Sequence, residues 1–142
     1  MGASIYGYWP GASEEQQSGN PGFANDCHAY ADWLTSMVSS RWLSWRLRRK
    51  GYAPLLSFHT IDTSDDHIEW TTPSELRQAA RELRAGLLRG DPFMKGLVRL
   101  YRKGPGIQEP HIELAQDLQD VASIAEYAEQ SGAKQITLTV GW

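Results

Sequence analysis

One segment of this chain has little freedom in what it can become: Thr72-Pro73-Ser74-Glu75, then Leu76, Ala79, Ala80, Leu83, Leu87 and Leu88, then Gly90. Thr72 can cap the third amide of a helix, Glu75 can reach back, and Pro73 suits the first helical position, where an N–H would have no partner. The apolar positions recur at three- and four-residue steps and so share one face, and Gly90 tolerates the left-handed backbone that ends a helix. A helix over 72–90 is the fixed point for reading the rest. Asp91-Pro92 repeats the start signal and predicts a second helix carrying Phe93, Leu97, Leu100 and Tyr101 to a stop at Gly104. A third, from about Pro110 to Ser131, is expected to bury Leu114, Leu118, Val121, Ala125 and Ala128 and to end at Gly132.

Strand signals lie near 3–9, 55–61 and 134–140. The first is rich in aromatic and β-branched residues and stops at Pro10-Gly11; in the last, Ile136, Leu138, Val140 and Trp142 alternate with Thr137, Thr139 and Gly141, the period of a half-buried strand. Between the first two strands a helical pattern starts at Asn25 or Asp26 and places Tyr30, Trp33, Leu34, Met37, Val38, Trp42 and Trp45 in one series. Ser39-Ser40 is a point where it can break, and Arg46, Arg48, Arg49 and Lys50 before Gly51 suit a helix C-terminus. Residues 11–22, with Gly11, Ser13, Gly19, Asn20, Pro21 and Gly22, read as a mobile surface loop. The order predicts a single α+β domain over 1–142: a small, mostly antiparallel or mixed sheet with about four helices packed against it.

Composition fits that reading. The 142 residues are 41% apolar and 22% charged, ordinary globular values for one domain. The first residues carry no basic segment followed by an apolar one, and no window approaches the roughly 18 apolar residues of a membrane span. Cys27 is the single cysteine, which excludes an internal disulfide and suits a reducing cytoplasm. Six Trp and six Tyr exceed what a small core readily absorbs, so some are expected at the surface as contact anchors. Net charge is −3 but blocky: Glu75 to Lys103 holds eight bases and three acids, Glu109 to Glu129 six acids and no bases. Such blocks steer partners.

The densest polar cluster runs from His59 through Asp62, Asp65, Asp66 and His67 to Glu69. Its carboxylates and imidazoles suit a divalent metal, yet the spacing matches no metal motif, and a solvated turn explains the same letters. His111 and Glu113 could complete such a site or simply open a helix. Cys27-His28 suggests an activated thiol, but sequence neighbours do not face each other on a helix, which leaves a structural cysteine as the simpler reading. Arg41 to Lys50 interleaves Trp with Arg, as nucleic-acid and membrane-surface helices do, although a helix end with outstretched arginines explains it as well. The acidic balance, with pI about 5.8, argues against nucleic acid as the main partner. Gly104 and Gly106 lack phosphate-cradle spacing.

The long helix with Glu113-Leu-Ala-Gln-Asp-Leu-Gln-Asp-Val121, the closing Ala133-Lys-Gln-Ile-Thr-Leu-Thr-Val-Gly-Trp142, the opening strand and the size together resemble bacterial immunity proteins. These are small cytoplasmic proteins that block a toxin from a neighbouring cell or a polymorphic toxin system. The resemblance implies a protein that occludes a toxin's active site, with no catalytic residue, metal or cofactor of its own and no membrane partner. On the sequence, an aromatic anchor ringed by acids points to Asp62, Asp65, Asp66, Glu69 and Trp70, with Tyr8 and Trp9 from the first strand, as the contact surface. The alternatives are a small metal-dependent hydrolase using the His59 to Glu69 cluster, or a non-catalytic regulatory interaction module.

Overall fold

The structure is a computed structural model that describes residues 4–18, 30, 33, 34, 36, 37, 40–60, 65–102 and 107–141. Its sheet is mixed and has the order β1-β3-β2. Strand β1 (Ser4–Tyr8) runs antiparallel to β3 (Thr137–Gly141), and β2 (Phe58–Thr60) runs parallel to β3 on the other side. The last strand in sequence is therefore the central one. Its neighbours bury Ile136, Thr137 and Leu138 alike, where alternation alone suggested one solvated face. The Thr137 hydroxyl meets that burial by donating to the Ser57 carbonyl at 3.2 Å.

The helices with described bounds are α1 (Glu14–Ser18), α2 (Arg41–Arg49), α3 (Pro73–Arg89), α4 (Met94–Arg102) and α5 (Pro110–Gln130), and Tyr30, Trp33, Leu34, Ser36 and Met37 are helical as well. Helices α3 and α5 form the main packed pair, burying Leu76, Ala80, Leu83 and Leu87 against Leu114, Leu118, Val121 and Ala125 in one core with Ile5 and Leu138 of the sheet. The start of α3 is as the residues dictate: the Thr72 hydroxyl accepts the Glu75 amide at 3.2 Å. Glu75 reaches back one residue further than expected, its carboxylate accepting from the Thr71 hydroxyl at 3.4 Å. Leu88 leaves the stripe and is exposed, because it lies at the edge of the face that Leu87 and Leu83 define.

Gly51, Gly90 and Gly132 all have positive φ just past a helix. After α3, the Asp91 amide donates to the Gly86 carbonyl and the Gly90 amide to that of Leu87, both at 3.1 Å, satisfying carbonyls that would otherwise lack donors. A Cβ on Gly90 would meet nothing within 4 Å, while its φ of 74° disfavours any L side chain. Gly90→Ala should therefore cost about 1 to 2 kcal/mol through the backbone alone. Urea unfolding checks this; a cost near zero would show that the turn relaxes out of the left-handed region.

Two expectations change, and the break allowed for at Ser39-Ser40 is located. The reading of 11–22 as a mobile loop is corrected at residues 13–18: Ser13 and Gln16 cap each other, the Gln16 amide donating to Ser13 Oγ at 3.1 Å and the Ser13 amide to Gln16 Oε1 at 3.0 Å. Tyr127 Oη then ties this turn to α5 through the Gln16 carbonyl at 2.9 Å. Residues 19–22 lie outside the described residues. The middle strand is shorter than 55–61, since Ala53–Leu56 form a 3-10 turn; Pro54 has no N–H for a ladder but fits the opening of a helical turn. Finally, Ser40 is extended (φ −91°, ψ 108°) and its hydroxyl accepts the Leu43 amide, so α2 starts afresh there. The break resets the phase and turns Trp42 and Trp45 outward, 60% and 55% exposed.

Candidate functional site

Thr71 and Ile136 exchange backbone hydrogen bonds of 3.0 and 2.7 Å, which fixes the chain entering α3 against the start of β3. Trp70 is thereby set beside Tyr8, whose register partner, Thr137, follows Ile136. The two rings lie 5.9 Å apart, tilted by 33°. His59 of β2 meets the same tyrosine edge-on, with centroids 5.8 Å apart and planes at 67°, and its Nε2 lies 3.4 Å from Thr139 Oγ1. Three separate segments thus converge on one face of the sheet. Aromatic pairs of this geometry contribute about 0.5 to 1.5 kcal/mol each beyond area burial.

Alternation along β1 explains what is left outside. Ile5, Gly7 and Trp9 point inward, whereas Tyr6 and Tyr8 are exposed on the outer face at 42% and 37%. Trp9 is corrected as a contact residue: only 3% of it is accessible, and it packs edge-on against Tyr127 at 6.0 Å. One residue of register separates the two roles.

The segment that leads into Trp70 carries carboxylates. Asp65–His67 forms a short 3-10 turn with Asp66 exposed, and exposed Glu69 lies 3.6 Å from Arg48 of α2. An ion pair so open to water contributes little to stability, leaving both groups free to re-pair. Between them opens a cleft of about 390 Å³, walled by Trp70, Arg48, Glu69, Thr71 and Glu75. Asp62 lies outside the described residues. A second hollow, about 500 Å³, opens between the β1–α1 turn and the α5–β3 turn, but among the described residues Lys134 is its one charged lining residue.

The other sequence candidates take structural places. Glu113 accepts the Gln108 and Glu109 amides at 3.0 and 2.9 Å, capping α5, while His111 is exposed nearby. Cys27 and His28 lie outside the described residues. Among the described residues, no three His, Cys, Asp or Glu side chains are grouped so as to hold a metal ion, and no helix is long and apolar enough to cross a membrane.

Sequence reasoning missed a buried pair. Tyr101 of α4 donates a short hydrogen bond to the Asp117 carboxylate of α5. Burial pushes the Asp117 carboxyl up to about 6, against the pull of the Tyr101 hydroxyl and with further upward pushes from Asp120 and Glu113. Burial also raises Tyr101, which keeps it a donor. Trp33 packs edge-on against Tyr101 at 6.5 Å and donates its indole N–H to the Leu97 carbonyl at 3.0 Å. The one signal for this pair was an Asp within the series of buried α5 positions.

Comparison of the chain with known protein families, with curated proteins and with solved structures gives no significant match. What the site can do is read from its own chemistry.

Proposed function

We propose that this chain is a toxin-neutralising immunity protein that binds a cognate bacterial toxin in the cytoplasm and occludes its active site. The observation that supports this reading best is the Tyr8–Trp70–His59 aromatic group on one sheet face, with exposed Asp66 and Glu69 on the segment that leads into Trp70. Partly exposed rings supply contact area that loses water on binding, and carboxylates around them attract a basic cleft. The sheet holds the rings in register, so little ordering entropy is spent on association.

The test is binding to the product of the adjacent toxin gene, followed by surface plasmon resonance and a growth-protection assay. Trp70→Ala should hasten dissociation by about thirtyfold, the loss of one hot-spot residue. Charge reversal at Asp65 and Asp66 should instead slow association and flatten its salt dependence, because charges around a contact surface act mainly on encounter. Circular dichroism confirms that each variant is folded. If both variants bind and protect as the parent does, this face is not the contact surface. A transition metal bound in one equivalent and lost on His59→Ala would favour the hydrolase reading instead.

A further inference from the structure

The strongest surface anomaly lies away from the sheet, on α2. Arg41, Trp45 and Arg49 form one outward row at four-residue steps, and Trp42 and Arg48 flank it, each three residues from Trp45. All five are exposed, while Leu47 on the opposite side is buried. The cations are held on ring faces: the Arg46 guanidinium sits 4.8 Å from the Trp42 ring and 4.9 Å from that of Phe93, Arg49 lies 5.1 Å from Trp45, and Lys50 lies 5.1 Å from Phe93. Tryptophan this exposed is held in water at a cost, and here two such residues share one helix face.

Charge narrows the occupant. Of Arg41, Arg46, Arg48, Arg49 and Lys50, Arg48 alone makes an ion pair among the described residues, with Glu69. The acids of the chain's own α5 are largely engaged elsewhere: Glu129 with Arg77 at 3.1 Å, Glu126 with Arg81 at 4.0 Å, Glu113 at the helix cap and Asp117 with Tyr101. Arg41 and Arg49 lie about two turns apart with Trp45 between them, a spread that a continuous anionic surface matches along its whole length. The face is the convex side of a helix, which suits a broad surface better than a threaded strand. Each indole also has a guanidinium on one ring face, so stacking of bases would compete with contacts already made. Seating the indoles at headgroup depth leaves those contacts intact and brings the guanidinium groups to the phosphates.

We infer that the outward face of α2, built from Trp42 and Trp45 between Arg41, Arg48 and Arg49, docks on the surface of an anionic phospholipid bilayer. This stands apart from the toxin reading, since Arg48, which also walls the cleft beside Trp70, is the one residue the two surfaces share among those named. The helix lies on the bilayer and does not cross it. Each cation near such a surface strengthens binding about fivefold, so the association is reversible and sensitive to salt.

Vesicle co-sedimentation of the full chain tests it, using phosphatidylcholine alone and phosphatidylcholine with about a third phosphatidylserine. Binding to the anionic vesicles only is expected, weakened about thirtyfold by Arg41→Gln with Arg49→Gln and by at least as much when Trp42→Ala is combined with Trp45→Ala. Both pairs are exposed, so their melting temperatures should match the parent's. Three outcomes would overturn the inference: no preference for anionic vesicles, equal binding by the folded tryptophan variant, or tighter binding at the same salt to a single-stranded oligonucleotide. Concentration-dependent dimerisation abolished by the tryptophan variant would overturn it as well, by assigning the face to a second copy.

Discussion

Replacing Leu83 by alanine should destabilise the protein by about 2 to 5 kcal/mol, measured as a lower urea midpoint with an unchanged slope. Leu83 is fully buried in the middle of α3, facing the α5 residues that form the other half of the core. The loss combines the transfer free energy of the removed atoms with the cavity that two long, capped helices cannot collapse to fill. Leu88, five residues on and exposed, is the internal control: Leu88→Ala should stay within about 0.5 kcal/mol of the parent. Equal effects at the two positions would mean that the helix is rotated from the placement described.

The second large effect is on the pH dependence of stability. Asp117 binds its proton more tightly in the folded protein, at about 6, than an ordinary aspartate does in an unfolded chain, at about 4. The native state therefore holds the extra proton between those values. Stability from this group is fully present below about pH 4, falls as pH rises through the window from 4 to 6, and stays lower above it. Asparagine keeps an oxygen for the Tyr101 hydroxyl but carries no charge. Asp117→Asn should thus raise stability at pH 7 by about 1 to 3 kcal/mol and remove most of the slope between pH 4 and 6. Tyr101→Phe should do the reverse at neutral pH, leaving a mostly buried carboxylate without its donor. Melting curves across pH decide it, and parallel profiles for parent and Asp117→Asn would disprove the linkage.

Elements with both a local start and a local stop were legible in the residues. Thr72, Pro73 and Gly90 bracket α3, Pro110 and Gly132 bracket α5, and each signal acts over a few bonds. The sheet order was not legible, because a run such as Ile136 to Val140 states its period but not its neighbours. The same limit hid the double burial of Thr137. Whether Trp42 and Trp45 continue the preceding helical series depended on Ser39-Ser40, and the capping Ser40 restarts the count. In the candidate site, Trp70 and Tyr8 stood out as aromatics near acids. Their contact with each other and with His59 depends on pairings between residues far apart in sequence, which no local pattern carries. Tyr101 and Asp117 meet for the same reason, across two helices.

The placement of β3 at the centre of the sheet bears on the order of events in folding. Strands β1 and β2 lie some fifty residues apart, and among the described residues each pairs with β3 alone. The contact between α3 and α5 spans fewer residues than either strand pairing, so it costs less loop entropy to form. Tyr8 and His59 come onto one face only when residues 137–141 are threaded between their strands. The aromatic face thus depends on the most distant pairings among the described strands, and a chain in which β3 fails to dock would carry its helices without its candidate binding surface.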